Sequence, residues 1–488
     1  MKVQRAAKRL LAVTLSLAMA APLAPALAQS TPTGPRLRLT ATKSDFVARR
    51  HRGHAARLNV GVFVSALDQP LELRVGRPSY DDPLQIDQVV ETAEGEEIRP
   101  LPPEVLNEWN GLAGFLKIDV ADSSGTIIRS NLRNFCPNTY ERQRIDDQGP
   151  VISLYPYGCY ANPFTRGYVW GIDRSWAVSP FGYRGPRMRV PDGDYRVTMT
   201  ITDTYSQLFD IASEDATVAM NVTVKTVKGR HCESCNHARR HALTEERIGS
   251  AATNVPDIEN PDPAILPDLQ SLPSFGIQVR NGKRRSYLTF GANVWVGGAS
   301  SLVVEGFRHS DEDVMDAYQY FYQDGEPIGR SQVGTFEFDT RRGHRHWHFR
   351  QFARYSLLDA ASSEIVRSKK SAFCLAPTDP IDLLLQGAEW NPYPEGLSTF
   401  CGSPNSIWIR ETLALGWGDT YYQGLPGQSF DITNLPNATY YISVEANPGA
   451  LLHEQNLDNN IELRAVVLRG KPGARRVTVP PWHGIDTD

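Results

Sequence analysis

The chain has 488 residues, enough for two ordinary domains that each bury a core. Its 51 Lys and Arg nearly balance 55 Asp and Glu, a formal charge of −4. That balance gives no basic footprint for nucleic acid and only a weak field for steering cationic amines.

Met1 to Ser30 carries Lys2, Arg5, Lys8 and Arg9, an apolar run from Leu10 to Ala21, and Ala26-Leu27-Ala28. This is the layout of a cleavable secretory signal over residues 1–28, too short for a good membrane span. A secreted, periplasmic or extracellular protein without a membrane span after cleavage is expected.

Residues 29–228 read as a first β-sandwich domain. Short runs such as Leu58-Asn59-Val60-Gly61-Val62-Phe63-Val64 alternate with turn residues, and 38 Gly and 34 Pro punctuate the chain. Long 3.6-residue periodicities are scarce, so the fold class is all-β, with two β-sandwich-like domains. Two segments of the second half echo the first. Tyr287 to Val304 resembles Arg57 to Leu73, and Pro436-Asn437-Ala438-Thr439-Tyr440 answers Pro191-Asp192-Gly193-Asp194-Tyr195. Duplication and chance likeness between two β domains are both consistent with this.

Residues 229–265 are read as a linker, because their apolar content is too low for a core. Six cysteines in an exported chain suggest disulfides, and chain order pairs Cys136 with Cys159, Cys232 with Cys235, and Cys374 with Cys401. For Cys232 and Cys235, flanked by His231 and His237, a metal site and a redox couple stand as alternatives to a short-loop disulfide. Asn236 directly after the second Cys argues against a c-type haem.

In the second domain, residues 266–470, the run His344-Arg345-His346-Trp347-His348 reads as part of a strand. Alternation would project all three imidazoles from one face, a nitrogen claw that suits Cu(II) over the other divalent metals. Residues 471–488 read as a tail.

Downstream come Arg354-Tyr355-Ser356-Leu357-Leu358-Asp359-Ala360, Lys370-Ser371-Ala372-Phe373-Cys374-Leu375, Gly418-Asp419-Thr420-Tyr421 and Asp431-Ile432-Thr433. In that order and spacing they resemble the catalytic domain of the lysyl oxidase family, over about residues 266–470. The resemblance implies copper at His344, His346 and His348, and a lysine tyrosylquinone cofactor formed from Lys370 and Tyr421, in preference to Lys369 and Tyr422. It implies an amine oxidase that takes a primary amine or lysyl side chain and dioxygen to an aldehyde, ammonia and hydrogen peroxide. Asp419, two residues before Tyr421 in an extended segment, is the candidate base. The resemblance also implies a calcium site from Asp268, Leu269, Glu454, Asn456, Asn459 and Asn460, in which Asn456 replaces a family carboxylate. A non-catalytic copper-binding or cell-surface protein and a three-histidine zinc hydrolase are the competing classes; neither gives Lys370 and Tyr421 a role.

Overall fold

The computed structural model describes residues 34–182, 185–227 and 255–485, save positions 310, 324, 341–344, 351, 371 and 395. Residues 1–28, expected to be a signal, and Cys232 and Cys235 therefore lie outside the described residues, as does His344.

The protein is all-β. Strands dominate both halves, and among the described residues the longest α-helix, Asp203–Leu208, has six residues. Before residue 228 the main sheets are two of four strands and one of five. The five-stranded sheet runs Asp45–His51, Thr217–Val227, Gly193–Ile201, Leu112–Ala121 and Ile127–Phe135 in spatial order. Alternation shapes the strands: in Leu71–Gly76, Leu71, Leu73 and Val75 are buried while Glu72, Arg74 and Gly76 are less so. After residue 255 the chain builds sheets of six, six and five strands.

The echo between halves has a structural counterpart. The Tyr195 hydroxyl donates to the Pro191 carbonyl at 3.0 Å, and the Tyr440 hydroxyl donates to the Pro436 carbonyl at 3.1 Å. Each half thus pins the start of a core strand with a tyrosine corner of the kind seen in immunoglobulin-like sandwiches.

The two halves do not bury separate cores. Leu383, Ala414 and Trp417 join the hydrophobic cluster of the first half. Phe164 joins Leu272, Phe275, Trp295 and Ile381 in a cluster that belongs to both. Backbone bonds seal the junction: Arg166 and Gly167 N–H both donate to the Ile381 carbonyl, and Leu383 N–H donates to Gly167.

Two connecting segments join the sheets. Residues 256–258, read as linker, lie along the strand Glu326–Phe338, where Asp257 bridges Arg330 and the Ile258 N–H donates to the Arg330 carbonyl at 2.8 Å. A low apolar content did not prevent backbone pairing with an exposed edge. The tail is also structured: Ala474–Thr478 pairs with Ile461–Lys471, and the Trp482 ring packs at 4.9 Å from Tyr80 and 5.3 Å from Phe164. The residues beyond 470 continue a sheet and then cover the junction of the halves.

Disulfides join Cys136 to Cys159 and Cys374 to Cys401.

Candidate lysine, tyrosine and metal site

The strand Trp417–Tyr421 pairs with Ser286–Gly298, setting Tyr421 opposite Ala292 and Asp419 opposite Val294. Alternation sends Asp419 and Tyr421 to one face and Thr420 to the other. On that other face the Thr420 hydroxyl receives amide donations from Asn293 at 2.7 Å and Asn162 at 3.3 Å.

Lys370 meets Tyr421 from a separate part of the chain. The lysine is buried, its neighbour Lys369 is exposed, and the two adjacent tyrosines divide the same way, Tyr421 inward and Tyr422 53% exposed. The Lys370 Nζ stands 4.1 Å from the centroid of the Tyr421 ring and 4.7 Å from that of Phe373, and it donates to the Ala372 carbonyl at 3.3 Å. Gly427, at φ +90°, makes this approach feasible: a Cβ there would lie 2.9 Å from the Cβ of Lys370. The Ser368 hydroxyl donates to the Gly427 carbonyl and accepts the Lys370 N–H at 3.2 Å, fixing the lysine backbone.

The Tyr421 hydroxyl donates to the Cys374 carbonyl at 3.0 Å. Burial pushes this phenol well above its ordinary pKa, and the Asp419 carboxyl adds to the shift. Asp419 is itself pushed up to about 8 by burial, against the opposing effects of its bond with Tyr421 and the Lys370 charge. Its Oδ2 is buried with no hydrogen-bond partner among the described residues.

Sequence reasoning missed Glu411. Its side chain is fully buried, accepts the Leu375 N–H at 2.9 Å, and is driven well above the ordinary carboxylate range by burial. Arg410-Glu411-Thr412 reads as an ordinary polar strand segment, so no local signal marks it. Its carboxylate lies within 4.8 Å of Cys374 and Cys401, whose sulfurs are committed to a disulfide and cannot serve as thiolate ligands.

The histidine segment differs from the single strand expected. The strand begins at Trp347, not before it, because the chain must reverse between Phe338 and Trp347, which pair across the hairpin; His346 belongs to the connection. The imidazoles of His346 and His348 meet nonetheless, with their Nε2 atoms 2.9 Å apart. His348 is buried, and its Nδ1 faces Asp339 Oδ2 at 3.6 Å. Asp339 was not singled out by the sequence; a carboxylate behind a ligating imidazole fixes its tautomer and leaves the other nitrogen for metal. The histidine strand Trp347–Arg350 pairs with Ala372–Phe373, and the Phe373 ring lies 5.0 Å from that of Tyr421. One short strand therefore links the two groups of residues. Strand alternation turns His348 to the face opposite Phe349, whose cross-strand partner is Phe373.

A family model described as lysyl oxidase matches residues 323–475, the stretch that holds the histidines, Lys370, Asp419 and Tyr421. Residues 323–475 are thus similar to the lysyl oxidase family. Among relatives, chicken (Gallus gallus) protein-lysine 6-oxidase is 29% identical over 120 residues, 24% of this chain and 25% of the relative. Mouse (Mus musculus) lysyl oxidase homolog 4 is 26% identical over 167 residues, 34% of this chain and 20% of the relative. The chain thus matches about a quarter of the length of these lysyl oxidases or less.

The other residues expected from the lysyl oxidase pattern also gather. Glu454 accepts the Leu269 N–H at 3.0 Å and the amides of Asn447 at 2.6 Å and Asn460 at 2.8 Å. Asp268 Oδ2 accepts from Asn459 at 2.8 Å and Gln270 at 2.7 Å. Asp268 Oδ1, Asn459 Oδ1 and Asn460 Oδ1 are buried without hydrogen-bond partners among the described residues. Asn456 stands apart: it is exposed, and its Oδ1 is occupied by the Asp458 N–H at 3.0 Å.

Proposed function

We propose that this protein is an exported amine oxidase dependent on copper and lysine tyrosylquinone. It converts primary amines, peptidyl lysine among them, with dioxygen and water to the aldehyde, ammonia and hydrogen peroxide. The observation that carries this reading is the buried Lys370 amine held 4.1 Å from the Tyr421 ring centroid. Burying a lysine amine against aromatic rings is costly for a core, even with the buried Asp419 and Glu411 carboxyls near enough to feel its charge. The contact is a suitable starting arrangement for joining the two side chains.

The donor set fits copper. His346 and His348 direct Nε2 atoms to one region, Asp339 orients His348, and His344 would complete the set as third nitrogen ligand. When bound, copper supplies the redox chemistry that oxidises the Tyr421 phenol with dioxygen, and the lysine tyrosylquinone supplies an electrophilic carbonyl to the amine.

The remaining roles belong to this chain's side chains. Lys370 presents Nζ to the ring, held by the Ser368 and Gly427 contacts. Asp419 Oδ2, buried and unpartnered, takes the α-proton from the substrate carbon and returns it as the site resets. Phe373 packs edge-on against the Tyr421 ring, and the carbonyl of Cys374, which is tied to Cys401, accepts from the Tyr421 hydroxyl, so both hold the ring in place.

For the second site we propose Ca(II), held by oxygens of Asp268, Leu269, Glu454, Asn459 and Asn460, without Asn456, whose Oδ1 is taken up by the Asp458 N–H. Three buried oxygens that lack donors support it, since a hard cation would satisfy them together.

Peptide mapping of protein matured with copper tests the main reading. The peptides carrying Lys370 and Tyr421 should elute as one cross-linked species. Recovery of the two peptides unlinked, alongside full amine-dependent peroxide release, would overturn it.

A further inference from the structure

We propose that the edge strand Ile127–Phe135 of the first half is a docking site for an extended acidic segment of another protein, which adds to the sheet as a further strand. The site lies in the half of the chain that the lysyl oxidase match does not reach.

Three observations converge on this strand. Among the described residues it closes one end of its five-stranded sheet and pairs with Leu112–Ala121 alone, so its other edge presents alternate N–H and C=O groups without a strand partner. Charge and irregular register restrict what can join such an edge, and here the charges are arginines that admit an acidic strand. All of its residues but Phe135 are exposed.

Its two faces have opposite chemistry. Arg129, Asn131 and Arg133 lie opposite Val120, Ile118 and Leu116 and line one side of a cavity of about 150 Å³. Arg187 and Arg189 line it from the neighbouring strand and the segment after it. None of these four arginines has a hydrogen-bonding or ionic partner among the described residues. Four guanidiniums gathered without a carboxylate repel one another, and an anion relieves that repulsion through paired N–H donors. On the opposite face, Ile128 is 41% exposed and Leu132 62% exposed.

The strand is also held rigid. Phe135 is fully buried, Cys136 after it is tied to Cys159, and Asn134 Oδ1 accepts the Gly114 N–H at 2.9 Å. A preformed edge reduces the ordering cost of adding a strand.

These features select the occupant. A segment with Asp or Glu at alternate positions and aliphatic residues between would meet the arginines on one face and Ile128 and Leu132 on the other, while its backbone completes the ladder. A second copy of this chain is a poor occupant: antiparallel pairing centred on Asn131 sets Arg129 against Arg133 of the other copy. No aromatic side chain lines the cavity, so it lacks the stacking platform that single-stranded nucleic acid uses.

The test uses the copper-matured full chain and a fluorescein-labelled peptide of alternating Glu and Val, read by anisotropy at low and physiological salt. Binding should weaken with salt, be absent for the Lys and Val counterpart, and fall about tenfold or more when alternate peptide nitrogens are methylated. The double variant Arg129→Glu, Arg133→Glu should lose binding by a similar factor, and so should Arg187→Glu, which leaves the edge strand itself untouched. Both variants should keep the parent's melting temperature and its oxidation of a small amine. Equal binding of the methylated peptide, with competition by polygalacturonate, would mean a general polyanion surface and would overturn strand addition. A dimer that dissociates on Arg133→Glu would overturn the choice of partner, and undiminished peptide binding by both variants would overturn the site.

Discussion

Two neighbouring lysines and two neighbouring tyrosines are sorted by burial alone. Lys369 and Tyr422 are exposed, while Lys370 and Tyr421 meet beneath them. Tyr421→Phe should keep copper binding and fold, because the ring stays, but abolish quinone absorbance and amine-dependent peroxide release. Lys370→Ala should also bind copper yet give no cross-linked peptide, whereas Lys369→Ala should behave as the parent in both assays. Retained peroxide release by Tyr421→Phe in the presence of copper would dismiss Tyr421 as the redox centre. Asp419 gives a second expectation through its raised pKa. Its carboxyl titrates at about 8 in the folded chain against an ordinary 3.8. Between those values the folded chain holds a proton that the unfolded chain releases, so this group's stabilisation is complete below about pH 4 and is lost as pH rises towards 8. In protein prepared without copper, Asp419→Asn should therefore flatten the fall in melting temperature across that range. In matured protein the same variant should lower kcat by about 10²-fold or more while the cross-link still forms.

At the scale of single elements, the histidine hairpin separates what was legible in the sequence from what was not. Residue types and their spacing were readable, because a metal site needs particular ligands wherever the backbone runs. The backbone itself was not: the reversal between Phe338 and Trp347 is decided by cross-strand pairing, so His346 falls in the connection although it continues the alternation. All-β character was likewise plain from the short alternating runs. Glu411 and Asp339 were not, since burial of a carboxylate against a distant loop leaves no periodic trace. Asp339 has a measurable consequence. Asp339→Asn retains the size of the side chain but removes the charge that faces His348 Nδ1, so copper affinity should fall by about 10- to 100-fold, with slower cofactor formation. His346→Ala should do more and abolish both. If copper titration of Asp339→Asn matched the parent, the orienting role would be lost while the ligand assignment stood.

Over the whole molecule, the first half is part of the frame that holds the tyrosine strand. The chain from Asn162 to Gly167 reaches Thr420 through Asn162, the Pro380 carbonyl through the Thr165 hydroxyl at 2.8 Å, and Ile381 through backbone bonds. Trp417, on the same strand as Asp419 and Tyr421, is buried in the first half's core. Sequence could not reveal this, because each half carries its own alternating strands and nothing in either pattern names the residues that face the other. The coupling is open to test at Phe164, which is fully buried and packs edge-on against Tyr80, Phe275 and Trp482. Truncation to Ala leaves a cavity at the junction and should cost about 3–5 kcal/mol. With a shared core, the parent should unfold in one calorimetric transition, and Phe164→Ala should lower that single transition and slow amine oxidation together. Two resolved transitions, of which the variant shifts only the first-half one and leaves amine oxidation unchanged, would show that the halves fold and act independently and that the Asn162 to Gly167 contacts do not position the tyrosine strand.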